Sequence, residues 1–359
     1  MKKRSTLPAF LGAIAASALV LTGCAGGSAS EKSADPQQLK VGLFSPDVTF
    51  GAFYAAIGPD GELTKVLKDR NVELKIETIP SGSNLVAALA SGSVDAAIVP
   101  GTSVLGVASQ GGQMVPLMNM FDGPSQQIIG NSSSKLGGPG DIKVFDKKRW
   151  AFTRVGSISE ISAKLTAESA GLSWTNQERL PLGSGSETQA VLESGRADVL
   201  STSPNNAATA VESGAAYLVA NPQEDELLPI AKQLNAVFAS SPTFTKAHPE
   251  LTQDIVTALV KELNVLASAK SPADSLAPMS GDFKNAVGKS WDLQWQYSKS
   301  GFSRATGGFS QKEVDQTLAG AKLVNVVKED FNPASGLFDN SYVRKAYDRL
   351  SLKTPSDLS

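Results

Sequence analysis

One stretch of this chain occurs twice. Residues 81–95 read Ser-Gly-Ser-Asn-Leu-Val-Ala-Ala-Leu-Ala-Ser-Gly-Ser-Val-Asp. The shift that carries Ser81 onto Ser184 carries Gly82, Ser83, Ala87, Leu89, Ser91, Gly92 and Asp95 onto Gly185, Ser186, Ala190, Leu192, Ser194, Gly195 and Asp198. Each copy reads as a small-residue loop, a helix, a glycine stop and the start of a strand. Ser83 or Asn84 suits the N-cap. Leu85, Ala88 and Leu89 form a narrow apolar stripe, and Gly92 can take the left-handed conformation that ends a helix. Two copies imply two similar lobes. Each offers unpaired backbone N–H groups at a helix start, which favour polar or anionic ligand atoms.

The surrounding pattern agrees with a layered α/β chain. Val72, Leu74 and Ile76 alternate with Glu73, Lys75 and Glu77, the period of a half-buried strand. Short apolar strands follow at 96–99, 115–120, 150–153, 179–182, 199–201 and 217–220, with loops and helices between them. Such alternation predicts mostly parallel sheets with helices on both faces. A crossing point is expected near 122–126, an exposed Gly/Ser/Pro loop over 132–141, and a return to the first lobe over 235–239. The remainder reads as helical, led by 249–269 with Ile255, Leu259, Leu263 and Leu266 on one face.

Charge and composition narrow the function classes. Lys and Arg total 33 against 35 Asp and Glu, a net charge of −2, and aromatics make up 6%. That balance lacks the basic, aromatic-laced footprint of a nucleic-acid binder. One histidine and one cysteine argue against a His-based metal cage, a catalytic triad and an internal disulfide; no metal or cofactor is expected. The cysteine is placed tellingly. Lys2, Lys3 and Arg4 precede an apolar run over 7–20, of signal-peptide length and short for a membrane span, which ends in Leu21-Thr22-Gly23-Cys24. This resembles a bacterial lipobox, with Cys24 lipid-modified as the first mature residue. Residues 25–38 are rich in Ser, Gly and Ala and read as a tether.

Taken in order, these features resemble a known family. The lipobox precedes Gly82-Ser83, Ala88-Leu89, Ser91-Gly92, Asp95 and Gly101. The unit returns as Gly185-Ser186, Val191-Leu192, Ser194-Gly195 and Asp198, and the C-terminal part carries Gly336-Leu337-Phe338-Asp339-Asn340-Ser341-Tyr342. The set is similar to the solute-binding proteins of ABC importers, in the group serving nitrate, sulfonates and taurine and including thiamine-pyrimidine binders. The resemblance implies a bilobal type II periplasmic-binding-protein fold, two doubly wound lobes joined by a two-crossover hinge. The corresponding plan is a signal peptide over 1–23, a tether over 24–38, a first lobe from 39–122 plus 240–359, and a second lobe over 123–239. It implies no catalysis. A monomer anchored by palmitate-type lipid to the extracytoplasmic face of the cell membrane would capture a sulfonate, nitrate, carboxylate or heterocycle and deliver it to ABC permease subunits. Carried onto this chain, the ligand-facing positions lie at strand ends: Ser45 and Asp47; Ser81, Gly82, Ser83 and Asn84; Gly101 and Thr102; Arg154, Gly156 and Ser157; Gly185, Ser186 and Glu187; Ser203 and Asn205. Open α/β sheets bind ligands beyond the carboxyl ends of their strands.

Each candidate has a plainer alternative. Arg154 can grip a carboxylate, sulfonate or phosphate in bidentate fashion, or sit in a surface salt bridge. Ser83 and Ser186 can bond ligand or merely cap helices. Asp47 can hold an amine or ring N–H. Asp95 and Asp198, matched in position before a strand, read as structural turns rather than paired carboxylates. Phe44, Phe50, Phe53, Tyr54 and Phe121 read as core, with one of them able to line the cleft, Trp291 and Trp295 as packing, and His248 as a surface residue near a helix start. Two other readings stay open: a ligand-binding ectodomain that feeds a sensor, and an enzyme on the same scaffold. The second is disfavoured by the single histidine and lipidated cysteine.

Overall fold

The computed structural model describes residues 35–44, 46–79, 81–224 and 232–358. The signal peptide, Cys24, most of the tether and Ser45 lie outside the described residues. The chain opens with β1 (Gln38–Leu43), α1 (Gly51–Ala56), α2 (Glu62–Asp69), β2 (Glu73–Thr78), α3 (Gly82–Ala90), β3 (Ala96–Val99), α4 (Gly101–Ser109) and β4 (Val115–Asn119). It crosses to β5 (Gln127–Asn131), β6 (Arg149–Phe152), α5 (Ile158–Ser169), β7 (Glu178–Pro181), α6 (Thr188–Glu193), β8 (Val199–Thr202), α7 (Pro204–Glu212) and β9 (Ala216–Ala220). It returns through β10 (Val237–Ser240) and ends in α8 (Pro242–Ala247), α9 (Pro249–Ala267), α10 (Pro272–Leu276), α11 (Gly281–Val287), α12 (Trp291–Arg304), α13 (Gln311–Leu323) and α14 (Ser341–Arg349).

Two five-stranded sheets form a bilobal α/β architecture, ordered β2-β1-β3-β10-β4 and β7-β6-β8-β5-β9. The orders are equivalent: in each, the strand that arrives from the other sheet slots between the third and fourth. These inserted strands make both sheets mixed: in each, four strands run one way, as expected of a mostly parallel sheet, and the inserted one runs against them. β10 runs antiparallel to β3 and β4, and β5 antiparallel to β8 and β9. The remaining pairs, β1 with β2 and β3, and β6 with β7 and β8, are parallel.

The duplicated unit occupies equivalent places, as α3 into β3 and α6 into β8. β3, read as Ala-Ala-Ile-Val, is buried along its whole length, as a central strand covered on both faces must be. β2 lies at an edge, and its exposed Lys75 and half-buried Glu77 form an ion pair at 2.6 Å, charges that discourage further strand pairing. The matched aspartates do the same work twice. Asp95 Oδ2 accepts the Lys40 N–H at 2.8 Å and Asp198 Oδ2 the Arg149 N–H at 3.0 Å, each tying its turn to the neighbouring parallel strand. The second copy adds the Arg149 guanidinium, at 2.7 and 2.9 Å.

The crossing segments run side by side. Asp122 bridges to Leu234, and the Gly123 N–H donates to Gln233 O at 2.9 Å. α12 is shared between the lobes: Trp291, Trp295 and Phe302 enter the core under the first sheet, while Tyr297 enters one under the second. The expected stripe of α9, Ile255, Leu259, Leu263 and Leu266, is buried in the first core. Residues 132–141 stay largely exposed, but the connection is pinned by two 3-10 turns and by Phe145, fully buried against the Trp150 ring.

Candidate functional site

Strand ends from both sheets meet around a cavity of about 540 Å³. From the first lobe come the residues after β1, the start of α3 and the start of α4. From the second come the residues after β6, β7 and β8, and from the crossovers Ser125, Gln126 and Asn235. Of the positions expected from sequence, Asp47, Ser81, Gly82, Thr102, Arg154, Ser157, Gly185, Ser186, Ser203 and Asn205 line it.

Five others do not, for local reasons. The N-cap of α3 is Ser81, not Ser83 or Asn84: Ser81 Oγ accepts from Asn84 N at 3.5 Å. The helix begins at Gly82, so Ser83 and Asn84 face solvent, and Ser83 Oγ bonds Ser81 Oγ at 2.9 Å. Gly101 donates its N–H to Leu234 O at 2.8 Å, and a methyl group there would fall 2.6 Å from Leu234 Cβ. Its role is to let α4 approach the returning crossover. Gly156, at φ +78°, donates its N–H to Glu160 Oε2 at 2.7 Å, a turn that favours glycine. Glu187 is exposed at the end of the 3-10 turn Gly185–Glu187.

Sequence reasoning missed several wall residues. Phe44 and Phe50 pack in or against the first core, as expected, and both also form part of the wall, where one such residue was expected at most; an apolar pocket residue and a core residue carry the same signal. Thr153 and Ser159 flank Arg154 along the chain and form a hydroxyl cluster with Ser157. Thr153 Oγ1 and Ser159 Oγ are 2.7 Å apart, and Ser157 and Ser159 2.8 Å. Ser157 also donates to Arg154 O at 2.6 Å and caps α5, so its hydroxyl is engaged in holding the Arg154 turn. Ser125 and Asn235 meet only because two distant crossovers run together: Asn235 Nδ2 donates to Ser125 Oγ at 3.1 Å.

Two ionisable side chains occur among the described lining residues, Asp47 and Arg154. Arg154 is half-buried, and burial pushes its guanidinium below the usual range with no acid to offset the shift. It reaches across to the first lobe: a methyl added at Gly82 would lie 2.7 Å from Arg154 Nη2 and 3.1 Å from the Phe44 ring. Gly82 is therefore needed for space. A cation at the positive end of α3 is electrostatically unfavourable, so guanidinium and helix start together are suited to an anion. Burial pushes the Asp47 carboxyl up, against hydrogen bonds from Thr49 N and Thr49 Oγ1 that pull it down. Both donors reach Oδ1, at 2.9 Å each.

No nucleophile–base–orienter set is assembled among the described lining residues. Among the described residues no group of three or more His, Cys, Asp or Glu side chains is placed to hold a metal ion, and no helix is long and apolar enough to cross a membrane. His248 sits between α8 and α9 against the Phe244 ring, and Trp291 stacks on Trp295 within the core; neither lines the cavity.

No curated protein sequence matches the chain significantly. Among solved structures, the periplasmic nitrate-binding protein NrtA of Synechocystis PCC 6803 superposes with a TM-score of 0.71 at 11% identity, covering 90% of this chain and 92% of that one. The periplasmic aliphatic sulphonate-binding protein SsuA of Escherichia coli gives 0.63 at 14% identity, covering 86% and 99%. A ligand-binding component of an ABC-type import system from Staphylococcus aureus, solved with zinc bound, gives 0.65 at 16%, covering 87% and 99%. The fold is thus that of periplasmic binding proteins. The NMT1/THI5-like family model matches residues 67–269, more than half of the chain and most of both sheets, and the chain belongs to that NMT1/THI5-like family.

Proposed function

We propose that this protein is the extracytoplasmic substrate-binding component of an ABC importer, lipid-anchored through Cys24, which captures a small polar or anionic solute between its lobes and hands it to a permease. The observation that carries the reading is Arg154, a cation in the cavity between the sheets with no acid beside it. Bound solute anion would supply the missing partner, and contacts to both walls would favour the closed arrangement by differential affinity. The NMT1/THI5-like family and the shared fold with nitrate- and sulphonate-binding proteins support it. On this reading the protein makes and breaks no bonds, Asp47, Ser81, Gly82, Thr102, Arg154 and Ser203 face the solute, and Asn205 holds the rim through Pro46 and Val48.

The test is a thermal-shift screen of sulfonates, nitrate, carboxylates and heterocycles on wild type and Arg154→Ala. A ligand that binds only the folded state raises the melting temperature by mass action. A hit in wild type that is lost in Arg154→Ala is expected; hits that survive the substitution would move the site. Palmitate labelling that vanishes in Cys24→Ala tests the anchor.

A further inference from the structure

α5 and α13 meet in a seam between the lobes. α13 packs on α4 of the first lobe, where Leu105, Ala321 and Val327 are buried together. α5 packs on the second sheet through Ala163 and Ala167. Across the seam Ile161 and Val324 are buried with Leu165 and Val326, and Lys164 Nζ donates to Leu323 O at 3.3 Å. None of these residues lines the cavity. Burial of their carbon surface favours joined lobes.

One side chain works against it. Gln233, on the returning crossover, is fully buried, and neither its amide oxygen nor its amide nitrogen has a hydrogen-bond partner among the described residues. It stands at the seam itself: a methyl group added at Gly320 of α13 would lie 3.3 Å from Gln233 Nε2 and 3.4 Å from Ile161 Cδ1 of α5. A backbone shift cannot relieve the amide. Gln233 N donates to Asp122 Oδ1 at 3.1 Å, and Gln233 O accepts from Gly123 N at 2.9 Å. On either side, Lys232 N donates to Gln316 Oε1 at 2.7 Å and Leu234 N to Thr317 Oγ1 at 3.0 Å. Crossover and α13 are thus docked together, and the element free to approach or withdraw is α5. A joined seam keeps the amide from bulk water, at a cost; a separated seam lets water reach it.

We infer that the α5–α13 seam is a joint that opens and closes between the lobes, and that Gln233 sets its strength by opposing the apolar contact beside it. Gln233 is then a positioning residue for the second lobe, remote from the cavity. Its effect on solute affinity rests on the solute-binding reading: a solute touching both walls draws on the joined population, and apparent affinity scales with that fraction.

The experiment is amide hydrogen exchange on the full chain without solute, comparing wild type with Gln233→Met, which keeps the length and removes the polar atoms, and Gln233→Glu, which keeps the shape and at pH 8 adds a charge. Amides that exchange by local opening report the opening equilibrium. The seam is read at 320–327, where Val326 N donates to Ala321 O at 2.8 Å; β3 and β8 report global unfolding. Exchange over 320–327 is expected to slow about tenfold in Gln233→Met, the scale of one unpaired buried amide, and to quicken about tenfold or more in Gln233→Glu. A change confined to β3 and β8 would make Gln233 a merely structural residue and overturn the joint. So would unchanged exchange in both variants. Calorimetry with nitrate and ethanesulfonate reads the link to the solute: whichever binds should bind more tightly in Gln233→Met and more weakly in Gln233→Glu. Affinities indifferent to both substitutions sever that link. Absence of binding to wild type counts against the solute-binding reading for these classes, while exchange still decides the joint.

Discussion

Asn205 donates its side-chain amide to Pro46 O at 2.7 Å and accepts the Val48 N–H on Oδ1 at 3.4 Å. Pro46 and Val48 follow β1 in the first sheet, and Asn205 follows β8 in the second, so one side chain links the two lobes at the cavity rim. Its amide is engaged with backbone, which makes it a latch more than a ligand donor. Asn205→Ala removes both bonds and should weaken solute binding by about 1–2 kcal/mol, roughly 5- to 30-fold. Small-angle scattering should show a larger radius of gyration for the variant, and an unchanged radius with unchanged affinity would remove the latch.

Gly82→Ala places a methyl 2.7 Å from Arg154 Nη2. Alanine suits the first helical position, so the melting temperature should hold within about 3 °C, while ligand affinity falls by roughly tenfold as the guanidinium is displaced. Calorimetry and a melting curve on one preparation separate the two effects.

Glu313 should make the fold more stable in mild acid. It is buried at the base of α13, accepting from Ser310 N and Oγ and from Asn119 Nδ2. Burial, with Asp122 nearby, pushes its carboxyl from 4.5 up to about 7. Asp122 in turn faces Lys232 and Arg304, each at 3.5 Å. A raised acid binds its proton more tightly when folded, so the cost of ionising Glu313 is fully present above about 7 and is relieved as pH falls toward 4.5. Urea midpoints should rise between pH 7.5 and 5 in wild type, and the rise should shrink in Glu313→Gln. Equal slopes in the two proteins would contradict it.

The matched aspartates should differ in worth. Asp95 accepts one backbone N–H from Lys40, whereas Asp198 accepts the corresponding N–H and a two-pronged guanidinium from Arg149. Burial works to raise the Asp198 carboxyl, but these bonds outweigh it and hold the pKa below 3.8. Asp198→Ala should cost about 1–3 kcal/mol of stability and Asp95→Ala about 1 kcal/mol. Denaturant unfolding of the two variants gives the comparison directly.

Much of the fold was legible because the repeat encodes it: α3 into β3 and α6 into β8 share residues and place in their sheets. The reversed direction of the inserted strands was not. Nothing in Val237–Ser240 or Gln127–Asn131 distinguishes an inserted antiparallel strand from a parallel one, since both are short strands buried along their whole length. Arg154 and Asp47 were legible as charges at strand ends. The cap of α3 was misplaced because Ser81, Ser83 and Asn84 all have capping side chains, and the start of the helix at Gly82 decides among them. Ser125 and Asn235 could not be found by any local signal, because they meet through crossovers distant in sequence.

The insertion of β10 between β3 and β4 also sets an order of assembly. All five strands of the second sheet fall between Gln127 and Ala220, but the first sheet lacks a middle strand until Val237–Ser240 has been made. As the chain emerges from its N-terminus, the segment begun first is therefore the one whose hydrogen-bond ladder closes last. Until then β3 and β4 have facing edges with no strand between them, and the interior segment can finish its own sheet while its neighbour waits.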